Sequence, residues 1–150
     1  MIDPRRGGRR GMPRGSADRM LAVVVGRLGV PFAGVWMLDV RGRRTGRVRR
    51  IPVIPRGAGG TRHLVAPRGT TGWVRDLRAE PRGALRRGRR TWAFRAEELR
   101  GEDRIPVLAD YVAATRRFTA RFFDVPHPAT EADIRRIADR HPVFRLTPAD

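Results

Sequence analysis

The sequence contains no cysteine and no lysine, and only one serine (Ser16) and one tyrosine (Tyr111). Without cysteine there are no disulfides, thiolate metal sites or cysteine nucleophiles. The lone serine sits outside any G-x-S-x-G pattern, so serine–histidine hydrolysis has no basis. No GxGxxG opens a helix and no GxxxxGK occurs, so the common nucleotide fingerprints are missing. His63, His127 and His141 show neither HxxxH nor HxH spacing, and no metal site is expected. The pairs Glu97-Glu98 and Glu102-Asp103 fall at element ends and read as solvated surface. Long apolar runs are missing too. Met20–Val25 is closed by Arg27, short of the roughly 7–15 residues of a secretory signal and the ~20 of a membrane helix.

Negative charge is also scarce. The 150 residues hold 15 acids against 33 bases, every base an arginine, for a net charge of +18. An all-arginine chain rich in Ala, Gly and Pro has the look of a GC-rich genome. The charge itself still draws phosphates, carboxylates or nucleic acid. It is unevenly spread. Residues 1–40 hold 7 Arg and 3 acids, residues 41–100 hold 18 Arg and 4 acids, and residues 101–150 hold 8 of each. The excess therefore lies on the central elements rather than on a tail.

Residues 1–15 are Arg, Gly and Pro with little apolar content, and read as a disordered basic arm. Residues 16–150 read as one domain, a length that supports a single core. Ser16 opens a helix bearing Met20, Leu21, Val24 and Leu28, which Gly29 and Pro31 stop. Strands are expected at 34–40, 48–54, 61–67, 82–87, 90–99 and 143–146, the first three as a meander. Pro52 marks an edge or a bulge. A short helix capped by Thr70 or Thr71 puts Trp73 and Leu77 on one face. Trp36, Trp92 and Phe94 look like core. A helix from Asp103 to about residue 123 and a second from the Thr130/Asp133 capping box complete the chain.

The chemistry concentrates in Arg41-Gly42-Arg43-Arg44-Thr45-Gly46-Arg47-Val48-Arg49-Arg50-Ile51-Pro52. Two glycines frame a turn that can present backbone N–H groups as an anion nest. Thr45 adds a hydroxyl, and Arg43, Arg44 and Arg49 can grip phosphate or carboxylate bidentately. The other reading of these residues is a solvated hairpin turn.

The string Leu38…Gly42-Arg43-Arg44-Thr45-Gly46…Arg49…Pro52 resembles the G-R-K-S-G…R…P segment of the deazaflavin-dependent nitroreductases. These are small actinobacterial split β-barrel oxidoreductases that use coenzyme F-420. Leu64-Val65-Ala66 with Arg68-Gly69 resembles the family's strand and glycine loop. Trp73…Asp76-Leu77-Arg78-Ala79…Pro81 resembles its P-x-W…N-L-x-A-N-P block. The resemblance covers about residues 34–98. It implies an α+β, mainly β split barrel of about six antiparallel strands with an N-terminal helix, a short helix after the third strand and two C-terminal helices.

The activity so implied is hydride transfer from the reduced deazaflavin to a small quinone, nitro or enone acceptor. By the same resemblance Arg43, Arg44, Thr45, Gly46 and Arg49 hold the coenzyme's phosphate and glutamate tail. Ala66, Arg68, Gly69, Trp73, Asp76 and Leu77 run along the ring and its linker. Tyr111 is the one tyrosine that could donate a proton. Three positions depart from the family: Asp76 for its Asn, Pro67 for a Ser and Ile54 for a Tyr. The alternatives are a flavin mononucleotide (FMN) enzyme of the same fold and a basic nucleic-acid-binding domain; specific nucleic-acid binding is not expected of the first reading. The chain is expected in the cytoplasm as monomer or homodimer, with peripheral membrane attachment through the N-terminal basic helix as a further option.

Overall fold

The computed structural model describes residues 34–149. The expected arm (1–15) and N-terminal helix lie outside the described residues. The described chain forms one curled antiparallel sheet of seven strands: β1 (Trp36–Arg41), β2 (Val48–Val53), β3 (Arg56–Ala58), β4 (Thr61–Val65), β5 (Arg82–Arg87), β6 (Arg90–Glu98) and β7 (Val143–Pro148). Their spatial order is β2-β1-β5-β6-β7-β4-β3. The helices are α1 (Gly72–Ala79), α2 (Arg104–Ala114), α3 (Arg116–Thr119) and α4 (Glu131–Ile137).

Local signals set the hairpins. Gly46, at φ 70°, turns β1 into β2, where the register pairs Leu38 with Ile51 and Asp39 with Arg50. Only glycine takes that backbone conformation without strain. Gly88 turns β5 into β6, pairing Leu85 with Trp92. Pro52 lies in an edge strand, where its missing N–H breaks no ladder.

Two expectations on the sheet are corrected. A seventh strand, β3, pairs with β4 across the Gly59-Gly60 turn, a stretch expected to be only a loop. Nor do the first strands form a meander. The β1–β2 and β3–β4 hairpins lie at opposite edges, and β5, β6 and β7 fill the space between. Local periodicity cannot carry this order, because the β1–β5, β6–β7 and β4–β7 pairings join distant residues.

The two sheet faces carry separate cores. On one face Leu38, Val40, Leu64, Leu85, Phe94, Phe144 and Leu146 meet Trp73, Val74 and Leu77 of α1. On the other, Val65 and Val143 meet Ile105, Leu108 and Tyr111 of α2, Phe123, and Ile134 and Ile137 of α4. Phe94 is fully buried as expected, but Trp36 and Trp92 are only half-buried. The Arg62 guanidinium lies 4.8 Å from the Trp36 ring centre and 5.7 Å from that of Trp92.

The long C-terminal helix is also corrected. It breaks at Thr115, whose hydroxyl donates to the Tyr111 carbonyl at 2.7 Å and pairs with the Thr119 hydroxyl. Such back-bonding competes with the helical ladder and bends it. Asp103 ends a 3-10 turn and makes no capping bond, and Thr71 precedes α1 without one. The Thr130/Asp133 capping box forms in full: the Thr130 hydroxyl accepts from the Asp133 N–H, and the Asp133 carboxylate accepts from the Thr130 N–H.

Candidate active site

Helix α1 enters from the Ala66–Thr71 loop and lies beside β1 with Trp73, Val74 and Leu77 in the core. Asp76 follows Trp73 by three residues, which turns its side chain toward the β1–β2 turn. There the carboxylate is 1% exposed. One oxygen accepts from the Arg43 backbone N–H at 3.1 Å and from Arg43 Nη1 at 2.8 Å. The other accepts from Arg49 Nη1 at 3.1 Å. Burial alone would raise the Asp76 carboxyl, but the two bonds from Arg43 and the charge of Arg49 outweigh it and hold it below its ordinary value.

The turn therefore cradles an anion of the chain's own, the Asp76 carboxylate. Gly42 N–H donates to the Arg47 carbonyl at 2.7 Å, Gly46 N–H to the Gly42 carbonyl at 2.8 Å, and Arg47 N–H to the Thr45 hydroxyl at 3.2 Å. Those bonds fix the turn, and Thr45 is an internal brace. The Arg43 and Arg49 side chains remain 27% and 50% exposed, so each turns further N–H donors outward. Arg44 and Arg47 are exposed and meet no carboxylate among the described residues.

Gly72 was not expected here. A Cβ on it would lie 2.7 Å from Arg49 Nη1 and 2.9 Å from Nη2. The Arg49 guanidinium thus lies flat over the start of α1, in space that only glycine leaves. Nothing in the local sequence marks this contact, since the two residues meet only when the helix docks.

The Ala66–Gly69 loop is held from the C-terminal side. The Ala66 N–H donates to the Pro142 carbonyl at 2.9 Å, and the Ala66 carbonyl accepts from Gly69 N–H at 3.1 Å. His141 Nδ1 lies 3.0 Å from the same carbonyl, which requires that nitrogen to carry the proton. Burial lowers the His141 pKa, partly opposed by that carbonyl bond. His141 is thus a second unexpected support. Arg68 is exposed with its guanidinium 5.2 Å from the Phe122 ring centre.

The expected site residues thus divide. Arg43, Arg49 and Asp76 converge directly; Thr45 and Gly46 shape the turn beside them; Arg44 stands outside. Ala66, Arg68 and Gly69 form the loop that leads into α1. Trp73 and Leu77 face the core and seat the helix. Tyr111 is not brought to these residues. It is buried in the other core, its ring 6.0 Å from that of Phe123, and burial pushes its hydroxyl well above the ordinary value. Among the described residues no group of three His, Asp or Glu converges as a metal site would.

The curled antiparallel sheet with its loop–helix corner has the split-barrel, flavin-reductase-like fold. The fold is shared with solved structures. A structure described as an F-420-H2-dependent reductase (FDR-A) matches at a TM-score of 0.52 and 20% identity, over 75% of this chain and 93% of that one. An FAD-binding protein from Mesorhizobium loti matches at 0.52 and 14% identity, over 77% of this chain and 81% of that one. A protein described as a domain-swapped dimer matches at 0.53 and 19% identity, over 89% and 95%. A comparison with curated protein sequences finds no match. The family model for F-420H(2)-dependent quinone reductase matches residues 14–125. The chain belongs to that family and is a coenzyme F-420-dependent oxidoreductase. Nothing in these comparisons supports the FMN alternative.

Proposed function

We propose that the protein reduces a small quinone, nitro or enone acceptor, holding the coenzyme's phosphate and glutamate tail on Arg43, Arg44, Thr45, Gly46 and Arg49. The observation that carries this is the convergence of Arg43 and Arg49 on Asp76 at the corner where the Ala66–Gly69 loop enters α1. The donor set fits a polyanion: two guanidiniums with outward N–H groups, and Arg44 and Arg47 beyond them. The ring and linker run along Ala66, Arg68, Gly69 and Asp76, with Trp73 and Leu77 seating the helix behind them.

When bound, the reduced coenzyme supplies a hydride, so the chain needs no nucleophile. Its residues bind, orient and exclude water. The two arginines are preorganised by Asp76, so less rotamer entropy is lost on binding. His141 fixes the Ala66 carbonyl and with it the loop against which the ring lies. Pro67 and Ile54 offer no hydroxyl, and Tyr111 is buried in the other core, so the acceptor takes its proton from solvent.

The domain proposal stands as residues 16–150 with a basic arm at 1–15. The fold's likeness to a domain-swapped dimer supports a homodimer over a monomer. Among the described residues no helix is long and apolar enough to cross a membrane. The test is mixing of purified protein and reduced coenzyme with a simple naphthoquinone, a nitroaromatic and a cyclic enone in turn. The expected result is acceptor-dependent loss of the reduced coenzyme. Loss with none of the three would overturn the proposal.

A further inference from the structure

We propose that Asp76 sets the charge of the Arg43–Arg49 clamp so that it selects a phosphodiester over a terminal phosphate. The proposal rests on the reading that this clamp holds the coenzyme's phosphate. Two guanidiniums alone would present two positive charges. The Asp76 carboxylate between them leaves one. Its position allows no escape from the ligand: it is 1% exposed and fixed by three hydrogen bonds, one of them from the Arg43 backbone. Gly72 keeps the Arg49 guanidinium pressed onto the same corner.

The coenzyme's phosphate joins the deazaflavin's side chain to the glutamate tail. A phosphate with two such links is a diester with one negative charge, which matches the clamp. The phosphate that ends FMN is a monoester carrying about −1.5 to −2 at neutral pH. Its extra charge faces the buried Asp76 carboxylate across the part-exposed guanidiniums. Arg44 and Arg47 lie further along the turn without a carboxylate partner among the described residues. They serve a ligand that continues past its phosphate, which FMN does not.

Asp76 thus acts as a specificity residue through the two arginines rather than by touching the ligand. A purely structural role predicts a different result. If Asp76 only held the arginines in place, its loss would weaken all ligands of the clamp alike, and their ratio would not move.

The experiment titrates the coenzyme and FMN into the wild type, Asp76→Asn and the Arg43→Ala/Arg49→Ala double variant, following ligand fluorescence. Asp76→Asn is expected to raise the affinity for FMN relative to the coenzyme by about tenfold, because one ligand feels the removed charge nearly twice. A ratio that rises less than threefold, or falls, overturns the proposal. If the double variant loses the coenzyme while the Asp76→Asn ratio stays fixed, this proposal fails and the parent reading stands. If the double variant binds the coenzyme unchanged, the parent reading fails and the proposal with it. A second measurement needs no variant. The wild type is expected to bind the methyl ester of FMN, a diester, at least threefold more tightly than FMN itself. Equal or weaker binding of the ester overturns the proposal even if Asp76→Asn does not fold.

Discussion

Asp39 and Asp76 are two buried carboxylates, each gripped by two arginines, and they do different work. Asp39 is 7% exposed and sits in mid-strand on β1. Arg50 of β2 takes it bidentately, through Nε at 2.8 Å and Nη2 at 3.1 Å. Arg86 of β5 takes its second oxygen through Nε. All three residues lie on the sheet face opposite Leu38 and Leu85, and the cluster ties three adjacent strands. Asp76 instead ties a helix to a turn, and its arginines reach past it into solvent at the corner shared by the Ala66–Gly69 loop. Similar ion-pair chemistry is a strand lock in one place and, on the proposed function, a ligand cradle in the other. The difference lies in what the arginines face once the carboxylate is satisfied.

The sharpest break of this comparison is Asp39→Ala. Removing the shared carboxylate leaves Arg50 and Arg86 facing each other, though both are exposed enough to recover water, with side chains 38% and 45% exposed. The expected cost is about 2 kcal/mol of stability, seen as a fall in Tm of roughly 4–8 °C. Coenzyme affinity should stay within threefold. A large affinity loss at unchanged Tm would reverse the roles assigned to the two clusters.

Gly72→Ala attacks the other cluster without touching a charge. The new methyl group displaces the Arg49 guanidinium from Asp76. Coenzyme affinity should fall about tenfold, about 1.4 kcal/mol, with the sheet intact by circular dichroism. An unchanged affinity would show that the placement of Arg49 does not matter.

Acid titration separates the aspartates from the rest of the chain. Burial raises both carboxyls, but arginine bonds outweigh it and both lie below their ordinary value of 3.8. The unfolded chain then binds protons first as pH falls. The stability contributed is present above about pH 4 and is lost as pH drops through the lowered native values. Asp39→Asn and Asp76→Asn should each flatten the fall in denaturation midpoint below pH 4. A slope identical to the wild type in both would contradict the pairings.

The smallest effect is expected from deleting residues 1–15. It removes Arg5, Arg6, Arg9, Arg10 and Arg14, yet coenzyme affinity should change less than tenfold, because the proposed site is built by the Arg43–Arg49 segment and charges that do not touch the ligand are screened by salt. A larger loss would place part of the binding element in the arm.

Much of this contrast was hidden in the sequence. The Gly42–Gly46 turn, the Gly88 hairpin and the Thr130/Asp133 cap are local, and each was readable from residues within a few positions. The basic segment 43–49 was readable as an anion site. What occupies it first was not, because Asp76 is 33 residues from Arg43 and 27 from Arg49. Asp39 and Arg86 are 47 apart, and nothing in the β1 pattern marks Asp39 as anything but one polar residue in an apolar strand. Gly72 and His141 were missed for the same reason: their roles exist only after α1 and the C-terminal segment dock. Asp76 did stand out as a departure from the resembled family. The structure resolves that departure by placing two arginines on it.

The central claim is that position, not total charge, makes the Arg43–Arg49 cluster the coenzyme's site. The direct measurement compares two charge-matched double variants by coenzyme titration: Arg43→Gln/Arg49→Gln and Arg50→Gln/Arg86→Gln. Each removes two positive charges: Arg43 from the β1–β2 turn and Arg49 from β2 in the first, Arg50 from β2 and Arg86 from β5 in the second. The account predicts about a hundredfold loss for the first pair, about 3 kcal/mol at roughly 1.5 kcal/mol per charge-assisted bond. For the second it predicts less than threefold, with a lower Tm. Equal losses in the two variants would mean that the coenzyme reads the protein's overall charge, and would contradict the account.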